Sequence, residues 1–274
     1  ARMEAPLSPG EPMHRSVPAV SIVRVAWVLA RVTVAACLVA CGDSGRKPPP
    51  VPADAIPAGT VLGSASIMGR ATYSGPAMAP AEINMSSDAT CKAGHEGEPR
   101  KEDLVVGDGG ALKYVFVRVT TGLEGRHFAP PAEPVVLDQR GCTYRPHVVG
   151  IQVGQQLTLL NSDPTLHNIH TTSLANKPFN FGMSVEGQKS PRFFSAPEVM
   201  IKTKCDVHPW MAAWIGVVEH PFFAVTGEDG RFTLKGLPAG EYTIEAWSET
   251  LGTKKTVVKV SDGESKEVSF VFPG

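Results

Sequence analysis

Hydrophobic residues in this chain repeat every second position, in short runs, and this limits its fold more than anything else. The stretch ALKYVFVRVT, Ala111 to Thr120, places Leu112, Tyr114, Phe116 and Arg118 on one face and Lys113, Val115, Val117 and Val119 on the other. A period of two is that of a β-strand. Similar runs lie at Val61 to Tyr73, Val135 to Leu137, His147 to Val153 and Gln156 to Asn161. Others follow at Val199 to Lys202, Trp214 to Val218, Phe222 to Thr226, Tyr242 to Trp247, Thr256 to Val260 and Val268 to Phe272. Asp229-Gly230 and Asp262-Gly263 separate some of them, and Asp-Gly is a strong hairpin signal. No long stretch of 3.6-residue period interrupts the series, so the chain is predicted to be all-β and built of sandwiches.

Composition agrees and excludes some functions. The 27 Gly and 24 Pro among 274 residues suit a turn-rich chain. A hydrophobic share of 42% and a charged share of 19% fit a folded globular protein. The formal net charge is -1, which gives no footprint for nucleic acid. No Gly-rich loop follows a strand, so nucleotide chemistry has no foothold.

The first forty residues differ from the rest. Arg15 and Arg24 precede an apolar run from Val25 to Ala40, interrupted by Arg31 and Thr33. A charged segment followed by an apolar one is the pattern of an export signal, and the run is too short and too broken to span a membrane comfortably. It ends in Leu38-Val39-Ala40-Cys41, which resembles a bacterial lipobox and implies a lipid on Cys41. Residues 1–40 are therefore expected to be a lipoprotein signal, and residues 41–58, with three consecutive Pro, a tether. The expected location is the periplasmic side of a bacterial membrane or the cell surface, with the protein held by its lipid. Without residues 1–40 the chain has 22 basic and 25 acidic residues, a net of -3.

Three cysteines remain in the body: Cys91, Cys142 and Cys205. Exported thiols tend to pair, and an odd number leaves one over. Cys205 has His208 and Met211 as neighbours, so a metal is expected to protect it, and Cys91 and Cys142 are expected to pair. The competing reading is a second metal site, because His95 follows Cys91 and His147 follows Cys142. There is no C-x-x-C-H for covalent haem.

The seven residues Cys205-Asp206-Val207-His208-Pro209-Trp210-Met211 place a thiol, an imidazole and a thioether on one short loop. Soft sulfur with imidazole selects copper, and Cys with two His and a weak axial Met is the blue-copper set. A second His is available upstream, in Asn161-Ser162-Asp163-Pro164-Thr165-Leu166-His167-Asn168. The stretch Lys202-Thr203-Lys204 would favour the Cys205 thiolate, the form that binds metal.

Tyr144-Arg145-Pro146, Val153-Gly154, the run Leu157 to Asn161, Asp163 and His167-Asn168 together resemble the cupredoxin pattern, and the Cys-x-x-His-x-x-Met loop is similar to that of amicyanin. The likeness covers roughly residues 104–220. It implies a Greek-key sandwich holding one type I copper on His167, Cys205, His208 and Met211. It also implies that Asn168, with Asn161 and Asp163 nearby, ties the His167 strand to the Cys205 loop. In that family the edge of the second His lies near the surface, where partners dock, which makes Pro209 and Trp210 candidate docking residues. His170 is expected to be a bystander on the opposite face of its strand. Met183 and Met200 are alternative axial ligands or core residues. The stretch Thr171 to Pro197 is polar and reads as a loop.

Ala224-Val225-Thr226, Asp229-Gly230-Arg231-Phe232, Leu237-Pro238-Ala239-Gly240-Glu241-Tyr242 and Ala246-Trp247 resemble the carboxypeptidase-regulatory-like, or transthyretin-like, β-sandwich. Its first strand is found at Ser64 to Pro76. The expected organisation is a copper domain at 83–220 inserted into a smaller sandwich made of 59–82 and 221–274. The resemblance carries no zinc ligands and implies no peptidase.

The expected function is a membrane-anchored, non-enzymatic carrier of single electrons between redox partners such as a cytochrome or a dehydrogenase. The alternatives are a copper-binding or copper-delivery protein, and a structural module with a vestigial site. Eight His do not comfortably supply a multinuclear copper centre as well.

Overall fold

A computed structural model describes residues 47–76 and 78–274; the expected signal segment and Cys41 lie outside them. In chain order the strands are β1 (Ala65–Tyr73), β2 (Phe116–Thr121), β3 (Val135–Arg140), β4 (Thr143–Arg145), β5 (Val148–Gln152), β6 (Leu157–Asn161), β7 (His167–Thr172) and β8 (Asn180–Met183). They continue as β9 (Gln188–Arg192), β10 (Glu198–Lys204), β11 (Ala212–Val218), β12 (Phe223–Val225), β13 (Arg231–Leu237), β14 (Gly240–Ser248), β15 (Gly252–Val260) and β16 (Ser265–Phe272). One short helix, α1 (Ala89–Gly94), precedes β2. The described chain is all-β apart from this helix and a single 3-10 turn.

The strands form four sheets that pack as two sandwiches. In the first, the sheet β4-β3-β6-β9 faces the sheet β5-β11-β10-β7-β8. Leu137, Leu157 and Leu159 from one sheet meet Ile169, Ile201 and Ile215 from the other in a common core. In the second, β13-β1-β16 faces β12-β2-β14-β15. Ile67, Leu234 and Phe270 there meet Val117, Ile244 and Val258. β1 lies between β13 and β16 and runs parallel to the latter. The second sandwich is therefore closed by the two ends of the described body, with the first sandwich between them in sequence.

A third apolar cluster joins the sandwiches. Phe116 of β2, Val148 of β5 and Val218 of β11 are its buried members, with Trp214 and Trp247 packed against them. Gly150 and Gly216 make room for it. A Cβ on Gly216 would lie 2.6 Å from the Phe116 ring, and one on Gly150 would lie 2.4 Å from the Phe223 ring.

Three features differ from the sequence reading. β2 lies inside the stretch expected to be copper domain, yet it pairs with β12 and β14 of the second sandwich. Val117 and Val119 on one face fill a core, while Phe116 on the other fills the joint beside Arg118. An alternation of that kind cannot say which sandwich it serves. The tether is docked over its last residues: Ile56 N–H donates to His127 O at 2.8 Å, and Ala129 N–H donates to Ile56 O at 2.9 Å. The stretch expected to be a loop at 171–197 contains β8 and β9. Both are sheet edges with one neighbour each, where polar residues and Pro191 are tolerated.

Candidate metal centre

The ligand loop is the turn of a hairpin. β10 and β11 pair antiparallel up to Lys204↔Ala212, which leaves residues 205–211 to cross between them. The loop is closed by its own backbone: Cys205 N–H donates to Met211 O at 3.3 Å, and Met211 N–H donates to His208 O at 3.0 Å. His167 opens the neighbouring strand β7, which pairs with β10 through Lys204↔His170. Sheet pairing thus delivers His167 to the loop that carries Cys205 and His208.

The three side chains converge. His167 Nδ1 and His208 Nδ1 are 3.0 Å apart, and Cys205 Sγ is 3.9 Å from His208 Nδ1. All three residues are buried. The far nitrogen of each imidazole is turned to a carboxylate: His167 Nε2 lies 2.8 Å from Asp163 Oδ2, and His208 Nε2 lies 3.2 Å from Asp88 Oδ2. An ionised carboxylate only accepts, so each Nε2 carries the proton. The two Nδ1 atoms are both aimed at the same space beside a sulfur. Two nitrogens bound at about 2 Å to one ion lie roughly 3.3 Å apart, close to the spacing found here. The donor set fits a small soft cation such as copper.

The electrostatics prepare the same site. Burial alone would raise the Cys205 thiol, but hydrogen bonding to His167 and to the backbone N–H groups of His208, Asn168 and Val207 holds it below its usual range. The thiolate is the metal-binding form. For His167, burial favours the neutral ring, while Asp163 and Cys205 pull the other way and bring it up to about 8. A proton therefore occupies the metal-free site and leaves when a cation enters.

The supporting residues have defined tasks. Asp163 accepts from Gly141 N–H at 2.7 Å and from Cys142 N–H at 2.8 Å while holding His167. Gly141 and Cys142 form the two-residue turn between β3 and β4, with φ of 62° and 53°. Positive φ at both positions is the I′ hairpin geometry. Asn161 shapes the segment before His167, donating to Thr165 O and Met183 O at 3.1 Å each. Asn168 Oδ1 accepts from Asp206 N–H at 3.0 Å and ties β7 to the ligand loop. Met211 is 1% exposed and shares the core of Cys205. Met183 is also buried, and its sulfur accepts from Gln139 Nε2 at 3.3 Å. His170 turns away from the metal ligands to Asp206, 2.9 Å distant.

The surroundings of His208 correct one expectation. The family likeness implies an edge near the surface, but the residue is 2% exposed. Asp88 and α1 cover it. Asp88 caps the helix by accepting from Cys91 N–H at 2.9 Å and reaches His208 with its other oxygen. Cys91 Sγ lies 3.5 Å from His208 Nε2 and is bonded to Cys142, which fastens the helix to the β3–β4 turn. Trp210 packs its ring 5.1 Å from that of His208 and donates from Nε1 to Cys142 O at 3.0 Å, while Pro209 is exposed. The physical reason is the extra segment before β2, which supplies a cover that a bare hairpin loop lacks. Sequence reading passed over Asp88 and α1. The available signal was Asp88 three residues ahead of Cys91, a helix N-cap pattern.

The disulfide also removes the second metal site as an alternative, since both sulfurs are bonded to each other. His95 Nδ1 instead contacts Gly141 O at 2.7 Å, and His147 contacts Ala212 O and Glu249.

No family model matches the chain, and no curated protein matches it. Among solved structures it is similar to a copper-containing nitrite reductase from Thermus scotoductus SA-01, at 23% identity over 38% of this chain with a TM-score of 0.30. The match spans 25% of the reductase chain. It is also similar to a mutant of amicyanin in the Cu(I) state, at 17% identity over 37% of this chain and 97% of that one, TM-score 0.28. A purple cupredoxin from Nitrosopumilus maritimus matches at 24% identity over 32% of this chain and 99% of that one, TM-score 0.26.

Proposed function

We propose that this protein holds one type I copper on His167, Cys205 and His208, with Met211 as a weak axial ligand, and carries single electrons outside the cytoplasm. The observation that carries the reading is the convergence of two imidazole Nδ1 atoms, 3.0 Å apart, beside the buried Cys205 sulfur. Copper bound there would supply one-electron redox chemistry. The chain's own residues supply the rest. Asp163 and Asp88 orient the two imidazoles, Asn168 fixes the loop, and the buried core excludes water. Rigid ligands suit electron transfer, because little has to move between oxidation states. The second sandwich is read as a carboxypeptidase-regulatory-like scaffold, and Cys41 as a lipid anchor holding the protein at a membrane. A cytochrome or a dehydrogenase is the class of partner proposed.

A second reading, copper storage or delivery, is favoured by the cover over His208, which lengthens the route from the site to any partner. Copper-loaded protein decides between them. Electron carriage requires an intense visible thiolate-to-copper band that disappears in Cys205→Ser. Tight copper binding without that band supports delivery and overturns the carrier.

A further inference from the structure

The metal loop is held from outside its own sandwich. Ala212 directly follows Met211 and begins β11. The ring of His147 donates from Nδ1 to the Ala212 carbonyl at 3.1 Å, and Trp214 N–H donates to the His147 carbonyl at 2.8 Å. His147 therefore grips the first residues of β11 at two points. Its Nε2 lies 2.6 Å from Glu249 Oε2, in the turn between β14 and β15 of the second sandwich. The side chains are 6% and 19% exposed. An oxygen acceptor lies against each ring nitrogen, so the ring's orientation is fixed. Burial would raise the Glu249 carboxyl, but the hydrogen bond and charge of His147, with the indole of Trp214, hold it below its usual range. Trp214 Nε1 is buried with no partner at hydrogen-bond distance and faces that carboxylate at longer range.

We infer that Glu249 is a positioning residue for the metal loop, acting through His147 to set the Met211–Ala212 segment. The inference rests on the copper reading for its consequence, since the axial ligand tunes a type I site. Cohesion between the sandwiches does not require this pair. Phe116, Val148 and Val218 already join them, and Trp214 stacks on Trp247 at 5.2 Å.

The test uses Glu249→Ala, Glu249→Gln and Trp247→Leu in the full chain. Copper affinity is measured by chelator competition, together with the visible spectrum and, in metal-free protein, amide exchange at Met211. Glu249→Ala should weaken copper about 10- to 100-fold, shift the visible band and speed exchange at Met211. Glu249→Gln keeps an acceptor for His147 and should restore most of each signal. Trp247→Leu should lower stability and leave band and affinity in place. Wild-type affinity, band and exchange in Glu249→Ala overturn the inference, and so does a Trp247→Leu variant that reproduces the shift. If the wild type binds no copper, the copper reading fails, and Met211 exchange still decides whether Glu249 holds the loop.

Discussion

The two sandwiches are similar in architecture and opposite in what they bury. The second has a core of apolar side chains, from Ile67 and Phe232 to Phe272, and buries only a few polar ones among the described residues, such as Thr226 and Glu245. The first buries Gln139, Asn161, Asp163, His167, Thr203 and His208 among its aliphatic residues. Polar burial is costly unless each group finds a partner. Most of these groups find theirs within the metal centre, while Gln139 Oε1 and Thr203 Oγ1 find none. One sandwich is organised for cohesion, and its neighbour for holding donor atoms in fixed positions.

This contrast can be broken in three ways. Phe272, fully buried in the apolar core, should have the largest effect. Phe272→Ala is expected to cost up to about 5 kcal/mol, read as a lower urea midpoint, while protein that remains folded keeps its copper band. Loss of the band in folded protein would show that the two cores are not independent. Next is the disulfide, which closes a separation of 51 residues. Replacing both cysteines by alanine should cost about 4 kcal/mol and uncover His208. A small inorganic oxidant should then take electrons from the reduced protein faster; an unchanged rate would mean that α1 is no barrier.

The third concerns acid. His220 follows β11 at the crossing between the sandwiches and donates from Nε2 to Val119 O at 3.0 Å, while its Nδ1 accepts from Phe222 N–H. The neutral ring is fully bonded, and burial lowers the group from 6.5 to about 4. The unfolded chain therefore takes up this proton first as pH falls. The stability is complete above about 6.5 and is lost toward pH 4, by about 3 kcal/mol. Urea midpoints of metal-free protein across that range should fall with this slope and flatten in His220→Gln. An equal slope in the variant would assign the acid sensitivity elsewhere.

Much of the metal centre was legible because it is local. Cys205, His208 and Met211 share one seven-residue loop, and His167 follows shortly after the run Gln156 to Asn161. What covers His208 was not legible, because Asp88 lies 120 residues earlier and only folding brings it near. Glu249 escaped notice for the same reason. The all-β class followed from period alone. The membership of β2 did not, since a strand with Val117 and Val119 on one face fits either core and only its pairing with Thr243 to Trp247 decides the matter. The bond that ties the Trp210 ring to Cys142 O is likewise one that no spacing announces.

The parallel pairing of β1 with β16 has a consequence in time. Ser66 lies opposite Ser265, and Tyr73 opposite Phe272, so β1 finds this neighbour only 199 residues further along the chain. During synthesis, residues 135–218 can complete their two sheets while β1 still lacks this neighbour. Contacts between such distant positions form slowly. The donor atoms would thus be assembled before the scaffold is locked around them, with the docking of β16 as the closing step of the second sandwich.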